Sequence, residues 1–251
     1  MIKKIFRKIW IFVYLLFHQK KYLRQKYVFE KHNDKRLLII FSAFPKQSRR
    51  GGYNYLWSLR KVKVNKLWIR DRFGSNGAGT YYLGEDFPSF DSFVKEIDAI
   101  ISKYSEGKIT YFCGTSKGGS AALLYGLRLN GDFIICGSPQ YYIGSYLSEN
   151  AYHRQLMAGI CRSSNAKDLL NDLLPKEVSK HGNKKVFLLI SKNEKSYAEH
   201  LKPLIYDLEQ NQYQLSVFDA RYQNHDEVGL YFVSYIEQIL KGESEWLTLL
   251  D

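Results

Sequence analysis

One segment restricts the architecture more than any other. In ITYFCGTSKGGSAALLYGLRL, a β-rich run from Ile109 to Cys113 meets Gly114-Thr115-Ser116-Lys117-Gly118-Gly119 and passes at once into an Ala- and Leu-rich helical pattern. A bare G-x-S-x-G is common by chance, but between a readable strand and a readable helix it has the setting of a nucleophile elbow. The serine of such an elbow sits on a strained turn, where side chains at Gly114 and Gly118 would obstruct the backbone. A helix that begins directly after Ser116 turns its unpaired N–H groups and positive dipole end toward developing negative charge. In this geometry the backbone N–H of Lys117 is one oxyanion donor, and the second comes from Ala43 or Phe44, in the loop after the run Leu37–Ser42. The competing reading, a phosphate-binding turn, lacks the G-x-x-x-x-G-K-[ST] or G-x-G-x-x-G spacing.

The rest of the chain is consistent with one such unit in a larger sheet. Strands are expected at Tyr27–Glu30, Leu37–Ser42, Lys66–Arg70, Ile109–Cys113, Phe133–Cys136, Lys185–Ser191 and Gln214–Phe218. Several are unbroken apolar runs, the pattern of strands covered on both faces of a parallel sheet. Helical stretches fall at Ser89–Tyr104, Lys117–Asn130, Asn165–Leu174, Ala198–Gln210 and Glu227–Leu240. This β–α alternation predicts an α/β fold with a mostly parallel sheet flanked by helices. The span from Pro139 to Gly182 holds no clear strand and reads as a helical insertion beside the loop end of the sheet.

A serine hydroxyl needs a base, and the base needs an acid to orient it. In an elbow-type sheet the chain order is serine, acid, histidine. Of six histidines, His18 and His32 precede the serine, His153 and His181 lie at or before the strand at Lys185, and His200 falls inside an expected helix. His225, in the loop RYQNHDEVG between the last strand and the last helix, stands where the base belongs. Glu194 follows the strand KKVFLLIS and is the favoured acid, with Asp219 and Asp226 as competitors.

Loops at the C-terminal end of a parallel sheet build ligand sites. Asp71, Arg72, Tyr81 and Tyr82 follow one strand, and Gln140 and Tyr141 follow another, so these are the candidate substrate contacts. A plainer reading pairs Asp71 with Arg72 and half-buries the tyrosines. Three cysteines, Cys113, Cys136 and Cys161, lack ligand spacing, and no H-E-x-x-H or C-x-x-C occurs, so neither a metal nor a disulfide framework is expected. No cofactor motif is present either.

Charge is unevenly placed. The chain of 251 residues has 37 Lys+Arg against 25 Asp+Glu, a net +12, yet residues 1–29 hold eight of the cations and no acid. The remaining 29 basic residues nearly balance the acids. Residues 1–26 therefore read as a basic amphipathic arm on a catalytic domain at 27–251. Ile5, Phe6, Ile9, Trp10, Phe12, Val13 and Leu16 recur at helical spacing, and the unbroken apolar run from Ile9 to Phe17 is too short to span a bilayer. A basic, aromatic-bearing helix suits the plane of an anionic membrane surface. The alternatives are packing on the domain and a nucleic-acid arm; with no second basic block or binding motif, a nucleic-acid partner is not expected.

The GTSKGG unit together with Glu194 and the late NHDEVGLYF resembles the Ser-His-acid α/β-hydrolase superfamily. The segments FSAFP, YNYLWSL, RDRFGSNGAGTYYLGED and CGSPQYYIGSYL resemble bacterial α/β-hydrolase-like proteins of capsule and cell-surface glycan biosynthesis, and more distantly the accessory-secretion glycan O-acetyltransferases. The resemblance implies an α/β-hydrolase-like fold and an esterase or O-acyltransferase acting on a surface polysaccharide or its precursor. Its substrate would be an acyl ester or glycan; the few cysteines fit a reducing, cytoplasmic compartment, the basic arm suits a site peripheral to the inner face of the membrane, and a glycosyltransferase is the candidate partner. A non-catalytic scaffold in a glycan-assembly complex, or a peptidase or lipase, are the rival expectations. Lys117, directly after the nucleophile, departs from the commoner residues of hydrolases and suggests a cation near the site.

Overall fold

The continuous apolar runs divide their residues between the two faces of one eight-stranded sheet. The structure, a computed structural model, describes residues 2–45 and 49–242. The strands are β1 (Gln19–Tyr22), β2 (Gln25–Glu30), β3 (Arg36–Phe41), β4 (Asn65–Arg70), β5 (Ile109–Thr115), β6 (Phe133–Gly137), β7 (Lys185–Ile190) and β8 (Gln214–Asp219). Their order across the sheet is β1-β2-β4-β3-β5-β6-β7-β8. From β4 to β8 every pairing is parallel, while β1–β2 and β2–β4 are antiparallel.

Because strand side chains alternate, Leu37, Ile39 and Phe41 enter one core while Leu38 and Ile40 enter the other. The first core is covered by α2 (Asp91–Ser105), α3 (Lys117–Arg128), α4 (Ile143–Ser148), α5 (Ala151–Ala158), α6 (Ala166–Lys180) and α7 (Lys202–Gln210). The second is covered by α8 (Val228–Lys241), with Leu56 and Leu59, and by one face of α1 (Ile2–His18). The helical insertion expected at 139–182 is α4 to α6. Its last helix runs past Pro175 to Lys180 rather than stopping at Leu174, held by the buried Glu177 and Val178 beyond the proline. The helix expected from Ala198 begins as a wide π-type turn, Tyr197–Leu201, before α7.

The boundary expected at residue 26 falls inside the sheet. β1 and β2 form an antiparallel hairpin whose tight turn places Leu23 at φ 47°. The polar, exposed sequence of β1 gave no strand signal; it is an edge strand whose lysines discourage pairing with other chains. Ahead of it, α1 packs Trp10, Ile11, Tyr14 and Leu15 against the second core. Trp10 meets Trp57 edge-on with ring centroids 5.3 Å apart, and the Tyr14 hydroxyl donates to Glu30 Oε2 at 2.7 Å. The opposite face of α1, with Ile5, Ile9, Phe12, Val13, Leu16 and Phe17, stays between 44% and 79% exposed. No helix among the described residues is long and apolar enough to cross a membrane.

Candidate active site

At the end of β5 the chain turns through Ser116 with φ 55° and ψ −126°, a conformation that non-glycine residues rarely take and that costs on the order of 1–3 kcal/mol. The Ser116 N–H donates to the Gly137 carbonyl at 2.7 Å, which ties the turn to β6. A Cβ on Gly114 would lie 2.3 Å from the Gly118 carbonyl oxygen, and one on Gly118 would lie 2.5 Å from that of Phe41. The second contact seats the start of α3 directly on the end of β3. Ala43 and Phe44, just beyond, line the same cavity as Ser116. The first N–H groups of α3, beginning with Lys117, have no acceptor inside the helix.

Ser116, His225 and Glu194 converge. Ser116 Oγ lies 2.9 Å from His225 Nε2, and His225 Nδ1 lies 2.8 Å from Glu194 Oε2. The Gln140 amide donates to Ser116 Oγ at 2.7 Å. These contacts fit one proton arrangement: the serine hydroxyl donates to Nε2, and Nδ1–H donates to the carboxylate. Glu194 is 3% exposed, and its other oxygen accepts from the Ser138 hydroxyl, which also bonds the Tyr222 hydroxyl. Burial beside that carboxylate pushes the Tyr222 phenol far above its ordinary range, so it stays a neutral neighbour. Asp219 instead accepts from the backbone N–H groups of Lys192 and Arg221, bracing the loop that carries Glu194. Asp226 lines the cleft but does not hold the imidazole.

Five of the six expected substrate contacts lie outside the cleft, four of them buried. Asp71 and Lys117 form a fully buried ion pair at 2.7 Å, so the cation expected near the nucleophile points into the protein. Burial drives the Lys117 ammonium down in pKa, and Asp71 opposes that shift. Asp71 also accepts from the backbone N–H of Thr80 at 2.7 Å and of Tyr82 at 3.1 Å, so the loop that follows β4 folds back over it. Tyr81 and Tyr82 are buried by that fold-back, and Tyr82 bonds Ile69 O and Ser42 N with its hydroxyl. Tyr141 is buried too, donating to Asp207 at 2.6 Å. These side chains were expected in the cleft because their loops leave the C-terminal sheet end; sequence gave no sign that the loops return inward. Arg72 is exposed and lines neither arm of the cleft, whereas Gln140 does face it, through Ser116.

The cleft has two arms that share Tyr146, His225 and Asp226. One, of about 880 Å³, reaches Ser116 past Arg7, Arg49, Arg50 and Tyr53. The other, of about 380 Å³, is lined by Gln140, Glu149, Glu199 and His200. Arg7, on the N-terminal arm, and His200, inside an expected helix, line the cleft without any sequence motif that marks them. The wide turn before α7 brings His200 to the cleft wall, a deviation that only Pro203 at the start of α7 hinted at.

No protein-family profile matches the chain, and no curated protein is similar to it in sequence. Solved structures are similar. The capsule O-acetyltransferase of Neisseria meningitidis serogroup A superposes with a TM-score of 0.74 at 21% identity, over 89% of this chain and 93% of that one. A histidine-to-alanine mutant of that enzyme, in complex with CoA, gives the same TM-score at 20% identity, over 88% and 94%. A glycosylation-associated protein complex (Gap123) of Streptococcus agalactiae matches at TM-score 0.66 and 18% identity, over 90% of this chain and 46% of that one. An S-formylglutathione hydrolase of Agrobacterium tumefaciens matches at 0.57 and 11%, over 92% and 99%. With its strand order, elbow and flanking helices, the chain has the α/β-hydrolase fold that these acyl-transferring and hydrolytic enzymes share.

Proposed function

We propose that the protein is a serine-dependent acyl-transfer enzyme, and that it moves an acyl group from a CoA-type thioester to a hydroxyl of a bacterial surface glycan or its precursor. The observation that carries this reading is the unbroken hydrogen-bonded line from Ser116 through His225 to Glu194 on a strained elbow. Ser116 Oγ attacks the acyl carbonyl carbon as its proton passes to His225 Nε2. Glu194 steadies the imidazolium, and the Lys117 N–H with that of Ala43 or Phe44 receives the oxyanion. Collapse expels the thiol with the proton from His225 and leaves the acyl group on Ser116. An acceptor hydroxyl then gives its proton to His225 and takes the acyl group; water in that place makes the same site an esterase. The glycan acceptor and the thioester donor draw support from the capsule O-acetyltransferase and its CoA-bound mutant.

A fluorophosphonate probe should label Ser116 in the native protein. Ser116→Ala should abolish labelling and lower turnover by roughly 10³-fold or more. Retained turnover in that variant would remove the reading.

The same reading places the enzyme at the inner face of the membrane through α1. Support comes from the uncharged outer face of that helix and from Lys3, Arg7, Lys8, Lys20 and Lys21 around it, the composition of an interfacial helix on anionic lipid. A glycosyltransferase is the partner such a location would supply.

A further inference from the structure

The two arms of the cleft differ in charge. Arg7, Arg49 and Arg50 border the larger arm. Glu149 and Glu199 border the smaller one, around His200, with Lys195 as its one lysine or arginine. His200 is 1% exposed, and its Nδ1 accepts the Tyr142 backbone N–H at 3.3 Å. That bond leaves the ring proton on Nε2, which is buried without a hydrogen-bond partner. A buried donor in this condition carries an uncompensated desolvation cost until something accepts from it. Burial also holds the imidazole below its ordinary pKa, which favours the neutral ring.

One ring nitrogen of His200 and a carboxylate oxygen from each of Glu149 and Glu199 lie within 4.8 Å of one another. An unpartnered ring donor on the histidine that clusters with two carboxylate acceptors matches groups that both accept and donate, which is the chemistry of vicinal sugar hydroxyls. An anionic sugar would meet two like charges against the single Lys195 cation there, whereas the arginine arm favours phosphate.

We infer that the cleft is polarised about Ser116: the arginine arm receives the phosphate-bearing part of the acyl donor, and the Glu149–Glu199–His200 arm seats an uncharged, hydroxyl-rich acceptor sugar. Acceptors with a carboxylate or phosphate next to the reacting hydroxyl are excluded. The inference rests on the acyl-transfer reading of Ser116. In the transfer step the acceptor oxygen bonds the acyl carbon, the Ser116 ester bond breaks, and the acceptor proton passes through His225 Nε2 to Ser116 Oγ.

Acyl-enzyme formation and its discharge can be read separately. Mixing with p-nitrophenyl acetate gives a p-nitrophenolate burst when Ser116 is acylated, and the following steady state reports deacylation. Methyl glycosides of glucose, galactose and N-acetylglucosamine should speed deacylation about tenfold more than glucuronate or galacturonate does, a difference of about 1.4 kcal/mol. Glu199→Gln and Glu149→Gln, both at exposed positions, should bring the two sets of acceptors within about twofold of each other. On the other arm, Arg49→Gln with Arg50→Gln should weaken CoA binding about tenfold and flatten its dependence on salt. A burst followed by equal discharge to neutral and acidic sugars, or by none to either, overturns the inference alone. So does a thermal stabilisation by zinc that Glu199→Gln removes. Absence of the burst overturns the acyl-enzyme reading and the inference with it.

Discussion

α3 begins directly after Ser116 and α1 borders the cavity that holds that serine through Arg7, yet the two helices meet the solvent on opposite terms. Every residue of α3 from Lys117 to Leu127 is buried, including a lysine whose charge is neutralised by Asp71. α1 buries one face on the second core and leaves the other, equally apolar, in the open. The difference teaches where the apolar content of each helix is spent. In α3 it is consumed by the fold, because the elbow requires a helix wedged between strands and covering helices. In α1 the described residues leave one apolar face uncovered, an exposed patch of the kind found at interaction sites.

The contrast breaks first at the buried ion pair. Asp71→Ala should cost about 3–5 kcal/mol, since it leaves the Lys117 ammonium uncompensated inside the protein. The double variant Asp71→Leu with Lys117→Met should recover most of that loss. Urea unfolding of the three proteins checks both statements, and a small effect for Asp71→Ala would show that the pair is not needed to seat α3.

A smaller effect is expected where α1 joins the sheet. Burial alone would raise the Glu30 pKa, but hydrogen bonds from Lys66, His32 and Tyr14 outweigh it and hold the carboxyl below its ordinary 4.5. A carboxyl depressed in the folded state stabilises fully above its unfolded value and loses that contribution as pH falls through the folded one. Acidification below about pH 4.5 should therefore loosen α1 from β2 before the sheet melts. The fluorescence of Trp10 and Trp57, which lie in edge contact, reports it. Lys66→Met should move the change to higher pH by removing the Glu30 partner at 2.8 Å.

Least of all should the outer face of α1 matter to folding. Phe12→Ser with Leu16→Ser should shift stability by no more than about 0.5 kcal/mol, because neither side chain is covered. The same pair should abolish co-flotation with vesicles containing phosphatidylserine. A large loss of stability would mean that α1 is held by its outer face, and unchanged flotation would mean that the lipid reading of that face is mistaken.

Much of this arrangement was legible in the sequence, and the reasons differ by region. Ser116 and its flanking strand and helix could be read because the elbow demands glycine at fixed offsets, where the backbone of Gly118 and Phe41 nearly touch. His225 and Glu194 followed from chain order in a sheet of this kind, and the two lie within hydrogen-bond reach. Asp71, Tyr81, Tyr82 and Tyr141 were misplaced because loop position says where a chain emerges, not whether its side chains turn back into the core. β1 escaped notice because an exposed edge strand need not alternate in polarity. His200 was hidden by a turn wider than an α-helix, which composition does not announce.

The contact at Gly118 has a consequence for how such a protein can change. The nucleophile is positioned by main chain resting on main chain, so its placement is inherited from the backbone rather than from the exposed side chains at the cleft rim. Residues 49, 50, 149 and 199 stand on exposed loops and turns outside that contact. Exchanges among them can redirect which molecules reach Ser116 while the bond-making apparatus stays as it is, a separation that lets one scaffold diversify its chemistry of recognition without rebuilding its chemistry of reaction.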